Sequence, residues 1–192
     1  MNRFGGDRGF TLIELLIVIA IIGFLAAAIL VAVDPVKRVN QARNAKRWSE
    51  ANSILNAILK KQVDKRAAFL GEASTAPIVA SATNSQVIAF ELGDVDCTAT
   101  ATQPDCPGQT LDTSTQYSCI AKMDALVDDP SDSTSYLAEL AVDPLGVDTE
   151  ASTGYLPLGP DNTGYYIHKY PNGRIEIGSC YPDEGETISV KR

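Results

Sequence analysis

The sequence predicts an α+β fold, in which the second half of a long N-terminal helix packs against a small C-terminal antiparallel β-sheet. Three observations carry that expectation. Nineteen consecutive residues, Leu15 to Val33, lack any charge or hydrogen-bonding side chain. An amphipathic stretch with helical spacing follows, from Val36 to about Leu70. Residues 164–180 are rich in Tyr and Ile and fold back at Asn172-Gly173, the pattern of a β-hairpin.

The apolar run is roughly 28 Å long as a helix, close to the hydrocarbon thickness of a bilayer. It predicts a single membrane pass. Gly23 and Ala26 to Ala28 would permit close approach of neighbouring helices. Asp34-Pro35 follows, where Asp suits an N-cap and Pro the first helical position, so a second helical section can start there. In that section Trp48, Ala51, Leu55, Ile58, Gln62 and Val63 form the expected apolar stripe, flanked by Ile54 and Leu59. Gly71 is the expected stop. Helix from Phe10 to Leu70 would reach roughly 90 Å, more than a small head can cover, so half of it is expected to project.

Beyond Gly71 the composition turns to Ser, Thr, Ala, Asp and Pro. Residues 98–115 read as loop, Tyr136 to Val142 as a short helix before Asp143-Pro144, and Thr187 to Val190 as a further strand. The organisation expected is therefore a leader at 1–9, a membrane helix at 10–33, its amphipathic continuation at 34–71 and a head at 72–192.

Charge divides along the same line. Residues 1–70 hold eleven Lys/Arg against five Asp/Glu, whereas residues 71–192 hold five against nineteen. An acidic head repels phosphate backbones, so direct nucleic-acid binding is not expected of it. Acidic heads could instead meet the basic stems of neighbouring copies. The flanks of the membrane run do not choose an orientation, because Asp7 offsets Arg3 and Arg8 while Lys37, Arg38 and Arg43 lie on the other side.

All four cysteines, Cys97, Cys106, Cys119 and Cys180, follow the membrane run. Their spacing fits no CxxC metal or redox pattern, and an even count after a membrane-directing segment predicts disulfides in an oxidising compartment. Three pairings are open. The expected one joins Cys97 to Cys106 across a small loop and Cys119 to Cys180 across the head.

The most specific residues are Gly9-Phe10-Thr11-Leu12-Ile13-Glu14, directly ahead of the apolar run. They resemble the processing signal of type IV prepilins, which implies cleavage after Gly9 and N-methylation of the new N-terminal Phe10 by the same peptidase. Glu14 makes physical sense there. A carboxylate at bilayer depth costs roughly 2.5–3.5 kcal/mol, less near the end of the span. Cleavage would free the α-amine of Phe10, four residues before Glu14 and largely protonated near neutral pH. The resemblance implies that Glu14 of one subunit neutralises the Phe10 amine of another, relieving two buried charges and setting register.

The same resemblance implies the partners: further copies of the chain, prepilin peptidase and an inner-membrane assembly machinery. It implies a membrane precursor with an extracytoplasmic head, then an extracellular filament for adhesion, motility or DNA uptake. Alternatives are a pseudopilin of a type II secretion system and a minor or tip pilin that acts as a binding module. A conventional signal peptide cut near Ala26 to Ala28 would have to tolerate the embedded Glu14.

No enzyme is expected. His168, the only histidine, reads as a strand surface residue, and no nucleophile or phosphate-loop motif appears. No cofactor is expected either; calcium in the head through Asp143, Asp148, Glu150 and Asp161 is the one metal considered, without a recognisable loop spacing.

Overall fold

The computed structural model describes residues 9–67, 69, 71–72, 76–89, 96–98, 106–128, 134–145 and 162–192. Two compact units divide the chain, Met1–Asn40 and Gln41–Arg192.

In the first unit, helix α1 runs Leu12–Val33, and none of its residues is buried. It is long and apolar enough to cross a membrane. The helix stops where Asp34 takes a left-handed conformation (φ 45, ψ 81), and helix α2 starts at Pro35. Asp34 acts as the expected cap, its Oδ1 accepting from the Lys37 amide at 3.3 Å. Pro35 has no amide hydrogen to lose at that position.

Helix α2, Pro35–Lys65, enters the second unit at Gln41. Its buried positions are Asn44, Arg47, Ala51, Ile54, Leu55, Ala57, Ile58 and Lys61. The stripe is therefore rotated from the expected one: Trp48 is 39% exposed and Val63 75%. The cause is that two polar side chains, Asn44 and Arg47, take the inward positions that apolar counting gives to Trp48. The helix ends at Arg66, left-handed at φ 51, before the expected stop at Gly71.

Among the described residues seven short strands follow. Strands β1 (Gly71–Glu72) and β2 (Ala76–Pro77) form a two-stranded ribbon. The main sheet holds β3 (Gln86–Ala89), β4 (Ile120–Lys122), β5 (Tyr165–Lys169), β6 (Ile175–Ser179) and β7 (Ser189–Lys191), in the order β4-β3-β5-β6-β7. The sheet is mixed rather than antiparallel throughout, because β3 and β4 run parallel. The hairpin β5–β6 forms as expected. It turns through Pro171-Asn172-Gly173, where Gly173 at φ 84 donates its amide to the Tyr170 carbonyl. No helix forms at Tyr136 to Val142: the amides of Tyr136 and Leu137 both reach the Leu126 carbonyl, and Leu140 enters the core.

Each face of the sheet is covered differently. On one, Ile54, Leu55 and Ile58 of α2 pack with Ile88, Tyr165, Ile167, Ile175 and Ile177. Each such aliphatic side chain contributes about 1.5–3 kcal/mol by leaving water. On the other face, Val87, Tyr166, Cys106 and Cys180 form a second cluster, and a third gathers Ala89, Cys97, Cys119 and Ile120.

The disulfides lie in these outer clusters and correct the expected pairing. Cys97 bonds Cys119, and Cys106 bonds Cys180. Strand order supplies the reason. Cys119 precedes β4 and Cys180 follows β6, with β3 and β5 between them. Three strand spacings put them roughly 14 Å apart, far beyond the reach of a disulfide. Cys97 instead lies beside the turn before β4, its amide bonded to the Gln116 carbonyl.

Candidate functional site

The site begins where α1 begins. Thr11 is the N-cap, extended at φ −80 and ψ 150, and it forms a reciprocal capping box with Glu14. The Glu14 amide donates to Thr11 Oγ1 at 3.3 Å. In return the Thr11 amide and hydroxyl each donate to Glu14 Oε2 at 2.8 Å. Ser or Thr three residues before Glu is the sequence signature of this arrangement. Thr11 is thus the partner of Glu14 that attention to charge alone overlooks, although its spacing to Glu14 is visible in the sequence. The box satisfies a carboxylate that an apolar helix would otherwise carry unpaired, and the negative charge sits well at a helix N-terminus.

Gly9 and Phe10 precede the helix. Phe10 is 86% exposed, and space around Gly9 is open. The rest of the leader, residues 1–8, lies outside the described residues. Gly23 too has open space where a side chain would stand, so nothing among the described residues requires a glycine there.

In the second unit a polar cluster fastens α2 to the loops that flank the sheet. Arg47 is fully buried and grips Asp143 with two hydrogen bonds, Nε to Oδ2 at 2.7 Å and Nη2 to Oδ1 at 2.8 Å. Its third donor reaches Asp183 Oδ2 at 2.7 Å. Asp183 also receives Arg43 Nε at 3.0 Å. Asn44 binds the same turn through its amide: Nδ2 donates to the Asp183 carbonyl, and Oδ1 accepts from the Asp183 amide. Burial opposes the Arg47 charge, but hydrogen bonds and attraction from Asp143 and Asp183 outweigh it and hold the guanidinium charged.

Asp143 was the first of the four acids considered for calcium. Its carboxylate serves Arg47 instead, while Asp148, Glu150 and Asp161 lie outside the described residues. Among the described residues no group of three or more His, Cys, Asp or Glu side chains is placed to hold a metal ion.

His168 is buried, which corrects the surface position expected of it. Its Nε2 lies 3.0 Å from the Ser81 carbonyl, its Nδ1 3.2 Å from Ser85 Oγ, and its ring stacks on Tyr170. Alternation along β5 was legible, but the 81–85 segment that covers its outer face was not. Tyr165 and Tyr166 are buried as packing residues. Tyr165 donates its hydroxyl to Glu50. Burial, then Glu176, push the Tyr166 hydroxyl up to about 12. Glu176 accepts from Lys191 Nζ at 2.7 Å and from Tyr170 at 2.6 Å. These bonds overcome the effect of burial and hold its carboxyl down at about 2.

Against known proteins, residues 5–30 match the family model of the prokaryotic N-terminal methylation motif. No curated protein and no solved structure matches the chain. The match stops short of the head, yet it spans Gly9, the capping box and most of the apolar helix. That motif, carried on an exposed apolar helix long enough to cross a membrane, makes the N-terminal part of this chain similar to type IV pilin-like and pseudopilin precursors, the membrane-anchored substrates of prepilin peptidase.

Proposed function

We propose that the chain is a non-catalytic, self-assembling subunit of a type IV pilus-like surface filament. Prepilin peptidase cuts it after Gly9 and methylates Phe10, and the head stands outside the cell. The observation that carries this reading is the methylation motif with Glu14 at the start of an exposed apolar helix. Cleavage leaves the α-amine of Phe10 as a cation, which methylation does not remove. Glu14 of another subunit receives that amine in the filament core.

The capping box supports the exchange. An ionised carboxylate has about four acceptor sites, so Glu14 can keep its Thr11 bonds and still accept an amine. In the precursor the box satisfies Glu14; in the filament the amine adds the opposite charge. Pairing then relieves two charges that would each be costly alone in an apolar bundle.

Intact-mass and N-terminal analysis of sheared surface filaments tests the reading. The dominant band is expected to begin with N-methylated Phe10. Glu14→Ala is expected to leave a processed, membrane-held protein and few filaments, and a normal filament yield would defeat the pairing mechanism. A processed chain confined to envelope fractions and missing from sheared material would move the assignment to a secretion pseudopilin.

A further inference from the structure

The Gly9–Phe10 peptide ends one residue before the N-cap of α1, and that position is not accidental to its chemistry. A peptidase hydrolyses this bond by adding water to the Gly9 carbonyl carbon. The C–N bond breaks, leaving a Gly9 carboxylate and a Phe10 α-amine. A peptide inside a helix has its polar groups engaged and must open before it can be cut. Two residues near the cleavage point have good N-cap chemistry, Asp7 and Thr11. Capping at Asp7 would make Arg8, Gly9 and Phe10 the first helical turn, with the target bond inside it. Capping at Thr11 starts the helix at Leu12 and leaves Gly9 and Phe10 ahead of it.

Thr11 takes the second course with three hydrogen bonds shared with Glu14. Gly9, a poor helix former, works in the same direction. From this geometry we propose that Thr11 is a positioning residue for leader removal: its cap halts the helix so that the Gly9–Phe10 bond meets prepilin peptidase outside it. The inference rests on the processing step proposed above.

Full-length precursor in membrane vesicles, incubated with prepilin peptidase, supplies the test. Thr11→Val keeps the shape and removes the hydroxyl. It is expected to lower kcat/KM roughly three- to tenfold. The loss should appear mainly as a raised KM, because fewer molecules present the bond outside the helix. Thr11→Ser and Thr11→Asp, both good caps, are expected to stay within about twofold of wild type. Glu14→Ala keeps the bond from the residue-14 amide to Thr11 and should be cut better than Thr11→Val. Wild-type efficiency in Thr11→Val overturns the proposal. So does slow cleavage of Thr11→Asp, which would mean that the enzyme reads the threonine itself. A wild-type precursor left uncut at Gly9–Phe10 would defeat the processing step first, and this inference with it.

Discussion

The ring of Tyr166 fills the space that a side chain at Gly178 would need. A Cβ there would stand 2.5 Å from the Tyr166 Cζ and hydroxyl oxygen. The two residues face one another across β5 and β6, and the ring joins the outer cluster beside the Cys106–Cys180 bond. Gly178→Ala is therefore expected to destabilise the protein by about 1–3 kcal/mol. Thermal denaturation checks this. Combining it with Tyr166→Ala should cost less than the sum of the two single changes, because the second removes the obstacle to the first.

Arg47 invites a second comparison. Arg47→Ala strands the buried Asp143 carboxylate and is expected to cost about 3–5 kcal/mol. Arg47→Met combined with Asp143→Leu removes both charges and should recover much of that loss. Denaturation of the two variants beside wild type under one buffer condition decides whether the pair is retained for stability or for seating the turn at Asp183.

Acid should loosen the far side of the sheet. Glu176 has a folded pKa of about 2, below its ordinary value of 4.5. A depressed carboxyl stabilises the fold above its unfolded pKa, and that contribution fades as pH falls through the folded value. Stability is thus expected to decline from about pH 4.5 toward pH 2. Glu176→Gln should flatten this part of the profile, as measured by melting temperature against pH.

Peptide mapping without reduction should recover Cys97 linked to Cys119 and Cys106 linked to Cys180. By the loop-entropy account, closures of 22 and 74 residues contribute about 3–4.5 kcal/mol each. Cys106→Ser with Cys180→Ser should lower the melting temperature at least as much as the matching change at Cys97 and Cys119.

Local patterns in the sequence read well. The apolar helix, the Asp34 cap and the β5–β6 hairpin follow from composition and turn chemistry within a few residues. The motif at Gly9 to Glu14 was equally plain, down to the spacing of its hidden capping box. Features that depend on partners far along the chain did not read. Arg47 lies 96 residues from Asp143, and no helical periodicity announces an arginine as a core residue. Parallel pairing of β3 with β4 brings together short segments with no strand signature of their own. The cysteine pairing depended on that same unseen strand order.

Connectivity of the two cross-links has a further consequence. The rings interleave: each encloses one end of the other, since Cys106 lies between Cys97 and Cys119 while Cys180 lies beyond both. Cys97 and Cys106 are both synthesised before Cys180. Their nine-residue closure is entropically the easiest, yet it is the wrong bond. Were it to form, a thiolate would have to attack it before the final pairing could be reached. The interleaved pairing thus ties formation of the Cys106–Cys180 bond to a segment that is made last, whereas the Cys97–Cys119 ring needs only residues before β4.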